Sequence, residues 1–241
     1  MENAYIGRNA ENIIQNTIID QVEVVETLRQ HFKIEGKLKN SAGGGIYGEK
    51  SDGRINFDCG HYIDMNIKSF TAAFNQLART TIPKFCEDFH INEDDKTELQ
   101  NLIIAKSQNR ANMLFPMEVQ EKWGEFFAEN AKQLVKWGFS SKPSREILVL
   151  FNRKTNSVKI YAMRDILRKI NLNVTFTKGG VNIGDCISFQ RKGGNGVHSK
   201  EIPKNSLQHP GNNVQLKLKP LKFIEEFSQH LLSEYAIQTS E

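Results

Sequence analysis

Three polar residues of the chain have side chains that together could activate water beside a phosphate group. Asp52 stands in a Ser-Asp-Gly turn, and Asn66 and Lys68 lie two residues apart in a segment with strand periodicity. Residues i and i+2 of a strand lie about 6.5 Å apart on the same face. A carboxylate and an amide oxygen suit Mg²⁺, which otherwise keeps water and phosphate ligands. A neighbouring lysine could orient or deprotonate an attacking water and offset the charge that builds on the phosphate.

The same three residues also have an ordinary structural interpretation. An Asp before a glycine is commonly only a turn residue, and a lysine on a strand is commonly solvated. Motifs of this kind are loosely defined. Their chemistry alone therefore leaves both interpretations open.

Amides, cations and glycines are concentrated in a second stretch, where a strand enters a basic turn and a polar strand follows. The residues are Gln190, Arg191, Lys192, Gly193, Gly194, Asn212, Gln215 and Lys217. Amide side chains can bond the edge of adenine and arginine that of guanine, while lysines suit phosphates. Glycines let the backbone approach a bulky partner. The pattern favours recognition of duplex DNA, because few aromatic residues are present to stack single-stranded bases; a flexible surface hairpin is the alternative.

The charge distribution is uneven. From Lys178 to Lys222 there are eight Lys or Arg residues and two acids, although the net charge of the chain is only +4. A basic segment on an otherwise neutral body is typical of a polyanion-binding protein. A solvated lysine-rich surface would give the same composition.

Composition excludes several classes of protein. The cysteines lack the spacing of a zinc site or a disulfide framework; they are Cys59, Cys86 and Cys186. No apolar run approaches the roughly 18–20 residues of a membrane helix, and the first residues do not resemble a signal peptide. We therefore expect a cytoplasmic protein with no membrane partner.

The order of helical and strand patterns predicts an α/β (α+β) fold with a central mixed sheet flanked by helices, in one domain over residues 1–241. Helices are predicted at 9–32, 69–80, 93–105, 117–137 and 163–170 and from Leu221. Strands are predicted at 54–58, 61–68, 146–151, 157–162, 173–177, 186–191 and 213–218. Asp64, Asn66 and Lys68 share one face of the second strand by its period of two. The apolar stripe of helix 117–137 is interpreted as core.

At these residues the chain resembles the MspI-type restriction endonucleases, a family of the PD-(D/E)xK nuclease class that includes GCGC-cutting relatives. The family's nuclease motif, Ser-Asp followed by Asn or Gln, any residue and Lys, matches residues 51–52 and 66–68. Its Gln-Arg-Lys-Gly-Gly run and Asn-x-x-Gln-x-Lys strand match residues 190–194 and 212–217. The similarity spans most of residues 45–220.

The resemblance implies a restriction-endonuclease-like fold and Mg²⁺-dependent hydrolysis of both strands of a short double-stranded DNA site, leaving 5′-phosphate and 3′-hydroxyl ends. It implies a catalytic half over about residues 1–115 and a DNA-reading half over about 140–220. Asp52 and Asn66 would bind the metal, Glu11 of the opening helix would approach a second metal, and Lys68 would position the water. The residues implied to read bases are Gln190, Arg191, Asn212 and Gln215, with Lys192 and Lys217 on phosphates. A paired DNA methyltransferase of the same restriction–modification system is also implied.

Two departures from the family leave alternatives open. The gap between Asp52 and Asn66 is shorter than expected, so Asp58 or Asp64 could replace or supplement Asp52. Residues 195–212 form a longer insertion than in the relatives, so the recognised bases could differ. The insertion carries His198, Lys200, Lys204 and His209.

Two other functions remain open at this point. One is a nuclease of the same fold that recognises a DNA structure, and the other is a sequence-specific DNA-binding protein without catalysis. The pattern leaves the oligomeric state open between monomer and homodimer, and it leaves the number of metal ions open.

Overall fold

The contacts of the chain divide it into two units, each built from segments that are separated in the sequence. The computed structural model describes residues 2–43, 51–140, 142–194 and 201–238. Unit 1 comprises Met1–Asn75, Phe139–Lys169 and Ile224–Glu241, and unit 2 comprises Gln76–Gly138 and Ile170–Phe223. His198 and Lys200 of the insertion lie outside the described residues. The single domain expected from the sequence stays a prediction.

Seven α-helices and eleven strands lie within the described residues. The helices are α1 (Glu2–Ile18), α2 (Val22–Phe32), α3 (Ile82–Asp88), α4 (Glu93–Gln108), α5 (Met117–Gly138), α6 (Met163–Lys169) and α7 (Pro220–Glu226). The strands are β1 (Leu38–Gly43), β2 (Gly53–Phe57), β3 (Tyr62–Phe70), β4 (Asn75–Thr80), β5 (Glu146–Asn152), β6 (Ser157–Ala162), β7 (Val174–Thr177), β8 (Gly180–Ile183), β9 (Ile187–Arg191), β10 (Val214–Leu218) and β11 (Leu231–Ala236). In the described part of the chain, no helix has the length and apolarity needed to cross a membrane.

Unit 1 is a six-stranded sheet in the order β1-β2-β3-β5-β6-β11. Neighbouring strands are antiparallel except β3 and β5, which run parallel with Asn66 in register with Leu148. The predicted α/β fold with a mixed sheet is thereby confirmed. Apolar residues of α1 and α2, such as Ile14, Ile18 and Leu28, are buried in one cluster with the strands. Each such side chain stabilises the fold by about 1.5–3 kcal/mol.

Unit 2 contains a second sheet, in the order β4-β10-β9-β8-β7. The central sheet expected from the sequence does not include these strands. The core of unit 2 is rich in aromatic rings: Phe127 of α5 lies 4.9 Å from Phe189 of β9, and Phe115 lies 5.5 Å from Trp123, between ring centroids. The buried Trp123 and Phe127 confirm that the apolar stripe of α5 is core.

Two predictions about the elements are wrong. Residues 69–80 form the end of β3, a turn and β4 rather than a helix. Their alanines favour a helix, but pairing with β10 overrides that weak local preference. The predicted helix 9–32 is two helices, α1 and α2. The helix predicted from Leu221 is confirmed as α7, and β11 follows it.

Candidate functional site

Asp52 lies directly before β2, and its side chain is held by β3. Its backbone N–H donates to the carbonyl oxygen of Met65 at 2.8 Å. Its carboxylate Oδ2 accepts a hydrogen bond from the backbone N–H of Ile67 at 2.7 Å and lies 3.3 Å from Nζ of Lys68. Both contacts involve a charged partner, and such hydrogen bonds are stronger than neutral ones. These two contacts therefore fix the orientation of the Asp52 carboxylate.

Lys68 projects from β3 toward this carboxylate. Its Nζ also donates to the carbonyl oxygen of Ile67 at 3.3 Å, and 15% of its side chain is exposed. A half-shielded ion pair of this kind is screened less by salt than one at the surface. The structure therefore brings together the acid and the lysine that the sequence singled out.

Asn66 lies two residues before Lys68 on β3 and is 2% exposed. Its Nδ2 donates to the carbonyl oxygen of Phe139 at 2.8 Å. A flipped amide would set two acceptors against each other, so this bond fixes which atom is Oδ1. Within the described residues, Oδ1 is buried and accepts no hydrogen bond. A buried polar atom without a partner costs about 1–3 kcal/mol, so this oxygen is a candidate ligand for a cation.

Helix α1 brings two further side chains to Asp52. Gln15 donates from Nε2 to the backbone carbonyl oxygen of Asp52 at 2.7 Å. Glu11 lies one helical turn earlier, on the same side of the helix. Burial raises the pKa of the Glu11 carboxyl and the Asp52 carboxylate raises it further, while Lys68 and Arg8 lower it. Sequence analysis missed Gln15, although its spacing of four from Glu11 was a usable signal.

The donors in this region suit a hard cation. Glu11, Asp52, Asn66 and Lys68, which we call the carboxylate site, offer oxygen ligands and one ammonium. No group of three or more His, Cys, Asp or Glu residues that could hold a metal occurs among the described residues. A small set of oxygen donors fits Mg²⁺, which retains water and phosphate ligands, and does not fit a structural zinc ion.

The two alternative acids have other partners. Asp64 Oδ1 accepts from Nε of Arg54 at 2.7 Å. Asp58 Oδ1 accepts from the backbone N–H of Lys37 at 2.8 Å. Of the three acids considered, Asp52 is the one in contact with Lys68.

The second set of candidate residues lies in unit 2, on β9, β10 and the turn between residues 191 and 194. Gln190 of β9 pairs in register with Gln215 of β10 and, on its other side, with Gly180 of β8. Gln215 is 2% exposed and donates to the carbonyl oxygen of Lys192 at 3.3 Å. Gln190 is half-buried between a glycine and another amide. Lys217, whose pKa is lowered by burial, pairs with Ser188 of β9.

The turn after β9 depends on two glycines. Gly193 and Gly194 both have φ near +69°, a left-handed conformation that is unfavourable for residues with a side chain. The backbone N–H of Lys192 donates to Asn213 at 2.8 Å and that of Gly193 donates to Gly211 at 2.9 Å. These bonds fold the turn against the start of β10.

Arg191 and Asn212 bond to each other. Nε of Arg191 donates to Oδ1 of Asn212 at 2.7 Å. Asn212 is 1% exposed, and its Nδ2 donates to the carbonyl oxygens of Lys204 at 2.9 Å and Ser206 at 2.6 Å. Asn212 was expected to contact a base, but its amide hydrogens bond within the protein.

Four cations of unit 2, Arg79, Arg110, Arg191 and Lys192, form what we call the cationic cluster. Burial lowers the pKa of Lys192, and Arg79 and Arg191 lower it further. Burial also lowers the pKa of Arg191, with a further contribution from Arg110. In the described chain none of the four is in a salt bridge. Sequence analysis missed Arg79 and Arg110, because neither stands in a motif.

No protein-family model matches the chain, and no curated protein sequence matches it. Among solved structures, it is similar to the restriction endonuclease MspI in complex with its cognate DNA. The identity is 15% and the TM-score 0.49, over 81% of this chain and 77% of that chain. MspI is the namesake of the family that the sequence motifs resemble. A likeness at this level carries no argument about function, which depends on the sites themselves.

Proposed function

We propose that the chain is a type II site-specific deoxyribonuclease of a restriction–modification system, which uses Mg²⁺ to hydrolyse phosphodiester bonds at a short site in double-stranded DNA. The observation that carries the proposal is the contact of the Asp52 carboxylate with the Lys68 ammonium, at 3.3 Å. Two residues before Lys68 on the same strand, Oδ1 of Asn66 is buried and accepts no hydrogen bond from the described residues. A carboxylate, an amide oxygen and an amine are the groups that metal-assisted attack of water on a phosphodiester requires.

In this proposal, Asp52, Asn66 and Glu11 hold the cation. Bound Mg²⁺ would act as a Lewis acid on the phosphate. The N–H of Ile67 keeps the Asp52 carboxylate oriented, and the bond to Phe139 keeps Oδ1 of Asn66 available as a ligand. Lys68 orients the attacking water and offsets the negative charge that develops on the phosphate oxygens.

A DNA partner is supported by the composition of unit 2. Among the described residues, the side-chain charges that act on Lys192 and Arg191 are positive. Cations without an acidic partner in this part of the chain are suited to DNA, which carries the opposite charge. The half-buried amide of Gln190 on β9 has the donor and acceptor that base edges require, whereas Gln215 beside it is 2% exposed and bonds to Lys192.

The test is the substitution Lys68→Ala, assayed on supercoiled plasmid DNA with Mg²⁺. We expect cleavage to fall by about 10²–10³-fold, as when a group that stabilises transition-state charge is removed. Lys154→Ala, at an exposed lysine in the turn between β5 and β6, is the matched control and should cleave normally. Cleavage by Lys68→Ala at the wild-type rate would contradict the proposal.

The products separate the proposal from its alternatives. Discrete bands from a plasmid, with one common sequence at their ends, support site-specific cleavage. Preferential cutting of branched or mismatched duplexes would instead identify a structure-specific nuclease. Tight, sequence-specific binding with no nicking in Mg²⁺ would identify a DNA-binding protein without catalysis.

A further inference from the structure

Asn212 joins the end of β9 to the segment of residues 201–212 by three side-chain hydrogen bonds. Its Oδ1 accepts from Nε of Arg191, and its Nδ2 donates to the carbonyl oxygens of Lys204 and Ser206. An amide nitrogen has two hydrogens, so Asn212 has no amide hydrogen left for a ligand. Its contacts fit a residue that holds Arg191.

The segment that anchors Asn212 is itself a series of hydrogen-bonded turns. The N–H of Ser206 donates to Pro203 at 2.9 Å, that of His209 to Ser206 at 3.0 Å and that of Asn212 to His209 at 2.8 Å. The carbonyl oxygens that Asn212 bonds therefore belong to an internally bonded segment. A functional side chain needs a support of this kind to keep one orientation.

The choice of an amide matters for the charge of Arg191. An aspartate at position 212 would hold Nε equally well but would neutralise the guanidinium. Asn212 leaves the positive charge of Arg191 intact, although Arg110 already opposes it. Because Arg191 stays charged despite the repulsion from Arg110, it can bind a ligand from outside the protein.

The bond to Asn212 also limits how Arg191 can bind a ligand. With Nε occupied, Nη1 and Nη2 remain as the donor pair. A Cβ added to Gly193 would lie 3.8 Å from Nη1 of Arg191, which places this nitrogen next to the glycine turn. Two parallel N–H donors match the paired acceptors O6 and N7 of guanine.

We infer that Asn212 is a positioning residue, which fixes Nε of Arg191 so that its two Nη groups read the edge of a guanine in the DNA site. This inference rests on the proposed function and adds to it both the base that Arg191 recognises and the residue that orients it. A pair of phosphate oxygens has similar geometry, and the experiment distinguishes the two.

The experiment selects bound sequences from a random duplex library without divalent metal, using the full chain. We expect the wild type to enrich a site that contains guanine, and Asn212→Ala to lose about fivefold to a hundredfold of the preference for guanine at one position. Arg191→Lys should relax the same position. Gln208→Ala, an exposed residue of the same segment, should leave the preference unchanged.

A double-mutant cycle separates positioning from a general structural role. Asn212→Ala should have little further effect on guanine preference in the Arg191→Lys background, because the fork that it orients is already gone. If Asn212 only stabilises residues 201–212, its substitution will have the same effect in both backgrounds. That result would overturn the inference.

Two other outcomes are decisive. A uniform loss of affinity for all sequences in Asn212→Ala would indicate a phosphate contact and contradict the guanine assignment. A wild-type chain that enriches no sequence would contradict the proposed function itself and, with it, this inference.

The bond between the two residues can be tested without DNA. In the NMR spectrum of the wild type, the Nε–H signal of Arg191 should exchange slowly with water. In Asn212→Ala it should exchange rapidly. Equal exchange rates in the two proteins would contradict the inference whatever the DNA results.

Discussion

The carboxylate site of unit 1 contains an ion pair, whereas the cationic cluster of unit 2 gathers charges of the same sign. In the first, Asp52 and Lys68 form an ion pair at 3.3 Å. In the second, the charges of described residues that act on Arg191 and Lys192 are positive. Paired charges hold each other in a defined geometry, whereas gathered like charges repel and destabilise the folded chain.

The difference indicates what each region requires from outside the protein. Under the proposed function, the oriented carboxylate of Asp52 binds a cation and takes part in the chemical step. The cationic cluster, which has no salt bridge among the described residues, binds the polyanion. We therefore expect substitutions in the carboxylate site to impair cleavage and substitutions in the cationic cluster to impair DNA binding.

Asp52→Asn should have the largest effect. The amide can still accept from the N–H of Ile67, but it carries no charge for a cation, so cleavage should fall by about 10²–10³-fold. DNA affinity in the absence of divalent metal should be unchanged or slightly higher, because one negative charge is lost. Plasmid cleavage and fluorescence anisotropy measure the two quantities. The control is Asp64→Asn, and loss of cleavage there but not in Asp52→Asn would transfer the acid role to Asp64.

Gln15→Ala should have the next largest effect, by loosening the turn that holds Asp52. Residues behind a metal ligand typically contribute about 10–100-fold to metal affinity or activity. We expect the Mg²⁺ concentration for half-maximal cleavage to rise, with a smaller change in the rate at saturating Mg²⁺. Gln30→Ala, at an exposed amide on α2, is the control. An unchanged Mg²⁺ dependence would show that the 2.7 Å bond to Asp52 is only structural.

Arg110→Ala tests the cationic cluster. Loss of one phosphate contact should reduce the slope of log affinity against log salt by about 1 and weaken all duplex sequences alike. Without DNA the variant should be slightly more stable than the wild type, since one repulsion is removed. Binding titrations over a range of salt concentrations measure the slope. A loss confined to one sequence would instead indicate base recognition by Arg110.

His209 should give the smallest effect, on stability. It is 2% exposed, and its Nδ1 accepts the N–H of Gly211 at 3.0 Å. Burial lowers its pKa below the ordinary 6.5, and Arg191, Lys192 and Lys204 lower it further. A lowered histidine pKa contributes stability that is present above pH 6.5 and lost as the pH falls through the folded-state pKa.

The substitution His209→Asn keeps an acceptor for that N–H but cannot be protonated. Its unfolding midpoint should match the wild type near pH 8 and exceed it near pH 5, where the wild-type histidine is destabilised by its lowered pKa. The exposed His90, with φ of 52°, tolerates asparagine and provides the control. Parallel pH dependence of the two midpoints would contradict the role of His209.

The sequence allowed part of this comparison to be predicted. The period of two in β3 placed Asn66 and Lys68 on one face, because strand geometry fixes that relation locally. The basic turn was found because its amides, arginine and glycines are contiguous in the chain. In both cases the residues that form the pattern are close together in the sequence.

The contacts that the sequence did not predict depend on tertiary packing. The bond from Gln15 to Asp52 joins residues 37 apart, and no periodicity encodes it. Strand β4 was predicted as helix, so Arg79 had no place in the predicted sheet. Asn212 was expected to face a base because its side chain suits adenine, and only the carbonyl oxygens of Lys204 and Ser206 explain why it faces inward.

The interleaving of the two units along the chain determines how their roles can be separated. Unit 1 needs segments from both ends of the sequence, and unit 2 is interrupted by residues 139–169. Any contiguous fragment that contains the whole of one unit therefore also includes part or all of the other. Truncation from either end of the chain cannot yield unit 2 without strands β5 and β6 of unit 1, so point substitutions are the way to test the two units separately.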